Sequence, residues 1–167
     1  MEAEPERIPT GDLYLLLNVA GYLGNPTALL EQLYDRRKPR GQVAIRQYDG
    51  DLLRVGPMPG RDREAIDSSL KAAVGCSDEF HHYDLDRVVS IADASPFDEV
   101  RTSFEIFQRF APFDGAFERY LAGHLDWVES QLSDRAAALL RAWRESLSRD
   151  PAFPGYFVEV DVVVSLS

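Results

Sequence analysis

The chain has 167 residues, a length that suits one domain able to bury a core of its own. With 45% hydrophobic and 28% charged residues it has the composition of a globular protein, which excludes global disorder. A net charge of −10 argues against nucleic-acid binding, and a single cysteine, Cys76, excludes both an intrachain disulfide and a thiolate zinc cluster.

Residues 1–11 are acidic, contain proline and read as a frayed lead-in to one α+β domain over 1–167, unlike a secretory presequence. LYLLLNVA (13–20) is apolar on both alternations, the pattern of a buried central strand, with a helix as the competing reading. The apolar run around it, 13–23, is too short to span a bilayer. A cytoplasmic protein with no membrane role is the expectation. In GNPTALLEQLYDRRK, Asn25 is placed as N-cap and Pro26 as first helical residue, with Leu29, Leu30, Leu33 and Tyr34 on one stripe. Arg36, Arg37 and Lys38 are expected in its last turn, before Pro39.

GQVAIRQYDGDLLRVG reads as a β-hairpin over 42–55, turning at Asp49-Gly50. REAIDSSLKAAVG predicts a helix with Ile66, Leu70 and Val74 inward and Gly75 at its end, and DRVVSIAD (86–93) a short strand. From Ser95 onward the pattern is helical. Ser95 caps a helix with Phe97, Val100, Phe104, Phe107 and Phe110 inward, followed by helices carrying Phe117, Leu121, Leu125 and Val128, then Ala136, Leu140 and Trp143. The last segment, YFVEVDVVVSL, alternates as a strand, with Glu159 and Asp161 on a solvent face that protects an edge. The expected fold is α+β. A small, mostly antiparallel sheet (early strand, 42–55 hairpin, C-terminal strand) packs against about five helices, with an antiparallel helical pair or trio in residues 95–149.

Charge is uneven along the chain. Residues 35–63 hold Arg36, Arg37, Lys38, Arg40, Arg46, Arg54, Arg61 and Arg63 against four aspartates, whereas 76–100 hold seven acids against Arg87 alone. The densest chemistry is EFHHYDLD (79–86). Glu79, His81, His82, Asp84 and Asp86 are all acceptable metal ligands, but adjacent histidines on a strand point apart and no recognised ligand spacing occurs. Elsewhere, Ser68, Ser69 and Ser103 lack a nucleophile-elbow context, Cys76 precedes acids that disfavour its thiolate, and His124 stands alone on a helix. Gly21 and Gly24 do not make a phosphate-binding fingerprint, and Arg36–Arg40 is either an anion site or an ordinary basic helix end.

The leading expectation is therefore a non-enzymatic, acidic binding protein of the inhibitor or immunity-protein kind, needing no cofactor. Asp78, Glu79, Asp84, Asp86, Asp93, Asp98 and Glu99 would steer a basic protein partner while Phe80 and Tyr83 anchor it. The second expectation is a metal-dependent enzyme using His81 or His82 with Asp84. The third is a homo-oligomer subunit, its interface on the last strand or the Phe-rich segment.

Overall fold

The computed structural model describes residues 8–50, 53–75 and 85–167. The chain packs as two compact units, one of residues 1–49, 78–105 and 160–167, the other of 50–77 and 106–159. Among the described residues, five strands form one mixed sheet in the order β1-β2-β5-β3, with β4 also paired to β5. This is the α+β architecture expected.

The first unit begins with a β-α-β turn of chain. β1 (Gly11–Leu17) and β2 (Arg37–Tyr48) pair in parallel through α1 (Pro26–Arg36). The local signals around α1 act as read: Asn25 Oδ1 accepts the Ala28 N–H at 3.0 Å and Pro26 opens the helix. The helix ends at Arg36, two residues before the end of the basic run at Lys38, as Pro39 biases the residue before it to extended backbone. Arg37 and Lys38 belong to β2 instead. Tyr14 and Leu16 pack on a core of Leu30, Leu33, Val43, Ile45, Val88, Ile91, Phe97, Val162, Val164 and Leu166. α3 (Leu85–Asp93) contributes Val88, Ile91 and Ala92 to this core from one face. That segment was expected as a strand; the spacing of Leu85, Val88, Val89 and Ala92 matches a helical face, and the core lies on one side of it only.

β1 is not the central strand its composition predicts. Among the described residues it pairs with β2 alone, and Leu13, Leu15 and Leu17 are 54%, 58% and 55% exposed. Its register against β2 shifts between Gly11 and Leu13, where the chain at Gly41 comes close to two carbonyls. A Cβ there would stand 2.9 Å from Lys38 O and 3.1 Å from Gly11 O, both backbone atoms that cannot swing aside. Gly41→Ala is expected to cost about 1–3 kcal/mol, read as a shift of the urea midpoint without change of slope.

β5 (Tyr156–Leu166) is central. Its residues 161–166 pair antiparallel with β2 and its residues 156–158 with β3 (Arg54–Gly56). The predicted 42–55 hairpin is corrected here. β2 and β3 each pair with β5, in the same direction along it, and the Asp49 N–H donates to Val160 O at 2.9 Å, so the two strands pair with β5 and not with each other. β4 (Val100–Phe110) occupies the stretch expected as the first helix of a trio. Glu99 and Ser167 exchange backbone hydrogen bonds at 3.0 Å, which fixes the start of β4 against the end of β5.

The second unit carries the helical pair, α4 (Gly115–Gln131) and α5 (Asp134–Arg149), beside α2 (Gly60–Gly75). Asp114 caps α4 by accepting the Ala116 and Phe117 N–H groups. Arg144 bonds Asp126 at 2.6 Å and Arg141 bonds Glu129 at 2.6 Å, a pattern that requires the two helices to run antiparallel. Ile66, Leu70, Leu121, Leu125, Val128, Leu140, Trp143 and Phe157 are buried in this unit.

Candidate functional site

In open α/β sheets, ligands are bound outside the carboxyl ends of parallel strands. Here those ends belong to β1 and β2, and they carry a joined polar cluster. Asn18, directly after β1, has φ 55, a left-handed conformation that asparagine tolerates better than most residues. Its N–H donates to Arg46 O at 2.8 Å, and its side-chain oxygen accepts from Arg46 Nη1 at 3.2 Å. Arg46 Nη2 in turn donates to Asp161 Oδ2 at 2.8 Å. Arg46 lies opposite Val163 on β5, so Asp161 is its diagonal neighbour on the same face. The Asp161 side chain is only 8% exposed and that of Arg46 30%, so the pair is largely withdrawn from water yet reachable from one side.

Leu17 lies opposite Arg46 in the register, which puts the exposed leucines of β1 on the face of the sheet that carries this cluster. The result is an apolar strip ending in an amide, a guanidinium and a carboxylate. Such a set can orient the polar end of a small molecule by charge-assisted hydrogen bonds while its body lies on the leucines. No group of three or more metal-ligating side chains occurs among the described residues.

A second polar group sits in the other unit. Tyr120 Oη donates to Glu159 Oε2 at 2.7 Å, and the His124 ring stacks on Tyr120 and meets Phe157 edge-on. Burial pushes the His124 pKa down to about 4, so the imidazole is neutral at pH 7. Glu159 and Asp161 are each 6% exposed, which corrects the solvent face expected for them: β5 has strand partners along both edges and packing over its carboxylates.

Of the residues singled out in the sequence, Asp78, Glu79, Phe80, His81, His82, Tyr83 and Asp84 lie outside the described residues. Asp86 and Asp93 are exposed on α3, seven residues apart and hence on one side of it. Asp98 and Glu99 are exposed just before β4, where Glu99 accepts from Arg101 Nη2 at 3.2 Å. The basic cluster is not gathered into one anion site. The Arg37 guanidinium lies 3.7 Å over the Tyr34 ring, and Lys38 is bonded to Asp12 at 2.8 Å. Sequence reasoning passed over Asn18 and Arg46. Their signal was a polar side chain within or just after an apolar strand, LYLLLN and VAIRQ, which a half-buried strand does not need.

No family model matches the chain, and no curated protein resembles it in sequence. Comparison with solved structures does give matches. The chain is 15% identical to phosphoethanolamine N-methyltransferase 2 of Haemonchus contortus in complex with phosphomonomethylethanolamine and S-adenosylhomocysteine, with a TM-score of 0.40. That match covers 93% of this chain and 33% of the enzyme. A second structure of that enzyme, with S-adenosyl-L-methionine, gives 15% identity, the same coverage and a TM-score of 0.39. A Bacillus halodurans protein assigned as a methyltransferase is 13% identical, with a TM-score of 0.46, over 98% of this chain and 68% of that one. The chain thus spans about a third of the length of the Haemonchus enzyme. These neighbours are enzymes and not inhibitors or immunity proteins, and the non-enzymatic docking function expected from the acidic segment is withdrawn on that finding.

Proposed function

We propose that this chain is part of an enzyme acting on small molecules, with methyl transfer as its activity and with the carboxyl ends of β1 and β2 facing the substrate. The observation that supports this reading is the cluster of Asn18, Arg46 and Asp161 at the end of a parallel β-α-β unit, where the chemistry of the sheet favours a ligand. Arg46 would orient a polar substituent, Asn18 and Asp161 would hold Arg46 in place, and Leu15 and Leu17 would shield the bound molecule from water. The methyl donor would supply an electrophilic carbon, and the chain's own part is orientation and exclusion of water. No described helix is long and apolar enough to cross a membrane, and a cytoplasmic setting belongs to this proposal.

The test is calorimetric titration of the chain with S-adenosylhomocysteine, run beside a methyl-transfer assay on small amines and phosphoamines. Binding is expected, with Asn18→Ala weakening it about tenfold, because Arg46 loses the amide oxygen that holds it in place. Absence of both binding and transfer removes methyl transfer; binding that Asn18→Ala leaves unchanged removes this site.

A further inference from the structure

Within the second unit, a cavity of about 450 Å³ opens between residues 111–113, one side of α4, the end of α5 and the turn at 150–153. Its size falls in the range that holds a small organic ligand. Leu121 and Leu125, both buried, form its base, with Phe113, Leu147 and Phe153 half-buried around them. Phe153 is braced edge-on by Trp143, ring centres 6.4 Å apart, and the turn that carries it is tied by Asp150, which accepts the Ala152 and Phe153 N–H groups. The walls are therefore held in place by the fold.

The rim decides what would enter. Three charged residues line it: Arg144, Glu118 and Asp150. Arg144 is already engaged by Asp126 at 2.6 Å and Glu129 at 3.5 Å. Glu118 makes no ion pair or side-chain hydrogen bond among the described residues, and Asp150 receives backbone N–H groups but no cation. The interior is apolar and aromatic, and the charge left uncompensated at its mouth is negative. A larger depression along α4 and α5 is lined by Asp126, Glu129, Arg141 and Arg144, whose charges satisfy one another, and it offers no comparable apolar base.

We propose that this cavity binds a small organic ammonium ion with an apolar or aromatic body. The body would lie on Leu121 and Leu125 between the two phenylalanine rings. The cationic end would meet Glu118 and Asp150, with the ring faces adding cation–π attraction. A neutral molecule of the same shape keeps the apolar contact and loses the charge; an anion meets repulsion. This site is independent of the cluster at the ends of β1 and β2.

The experiment is titration of the isotopically labelled full chain with benzylamine, benzyl alcohol and benzoate in turn, followed by amide chemical shifts. Benzylamine is expected to saturate near a dissociation constant of about 1 mM, with shifts centred on residues lining the cavity. Benzyl alcohol and benzoate are expected to bind about tenfold or more weakly. Glu118→Gln, at an exposed helical position, should weaken benzylamine several-fold and leave benzyl alcohol unchanged, and Ala122→Trp should block both. Equal affinity for the amine and the alcohol overturns the charge recognition. Amine shifts scattered over the acidic surface, or undiminished by Ala122→Trp, overturn the site.

Discussion

Arg46→Leu is expected to lower stability by about 3–5 kcal/mol, the usual result of removing one partner from a buried ion pair. Asp161, 8% exposed in its side chain, would stay buried and lose the guanidinium 2.8 Å away. Asp161→Leu should cost less, because Arg46 is 30% exposed and its flexible stem can carry the charge toward water. The double replacement is expected to return to within roughly 1–2 kcal/mol of the parent, since both sites would then be apolar beside Leu17 and Val163. Urea unfolding at pH 7 of all four proteins, with a common slope, gives the coupling directly. A loss below about 1 kcal/mol for Arg46→Leu would mean that water reaches Asp161 and the pair is a surface one. The double variant has a second use. It should be folded yet lack the polar end of the proposed site, which separates a loss of ligand binding from a loss of fold.

The second large effect is on pH dependence, through His124. Burial holds its folded pKa at about 4 against 6.5 for an open histidine. Between these values the unfolded chain takes up a proton that the folded chain does not. The stabilisation is complete above pH 6.5 and is lost as pH falls toward 4, by roughly 3 kcal/mol in all. The groups packed around the ring include Tyr120, Phe157 and, through Tyr120, Glu159. His124→Phe preserves the ring contacts and removes the proton. Other carboxylates titrate in the same window, so the quantity of interest is the difference between parent and variant. It should grow against the parent below pH 6.5 and be flat above it. An imidazole resonance titrating near 6.5 in the folded protein would show that the ring is open to water.

Local chemistry was readable wherever neighbouring residues decide the outcome. Asn25 and Pro26 start α1 because a side-chain oxygen and a pre-set φ act within one turn, and the faces of α2, α4 and α5 follow from apolar spacing. β5 was equally plain, with Val158, Val160, Val162 and Val164 at every second position in a stretch rich in β-branched and aromatic residues. The segment 100–110 was not. Phe104, Phe107 and Phe110 recur at a helical interval, while Val100, Thr102, Phe104 and Ile106 recur at the interval of a strand. A short stretch carrying both periods is assigned by its partner, and that partner is β5, more than forty-five residues further on.

The candidate site follows the same division. Asn18, Arg46 and Asp161 each sit in or beside a recognisable strand, but Arg46 and Asp161 are separated by 115 residues and only the pairing of β2 with β5 brings them within a hydrogen bond. The sequence by itself determined the α+β class, the helices with clear caps and stripes, and the alternation that places Glu159 and Asp161 on one face of the last strand. Only the tertiary structure decided that this face is covered, that β2 and β3 both pair with β5 rather than with each other, and that 86–93 is a helix. The reason is physical: propensity and caps act over a few residues, whereas burial, strand register and ion pairing depend on what the rest of the chain brings to the same place.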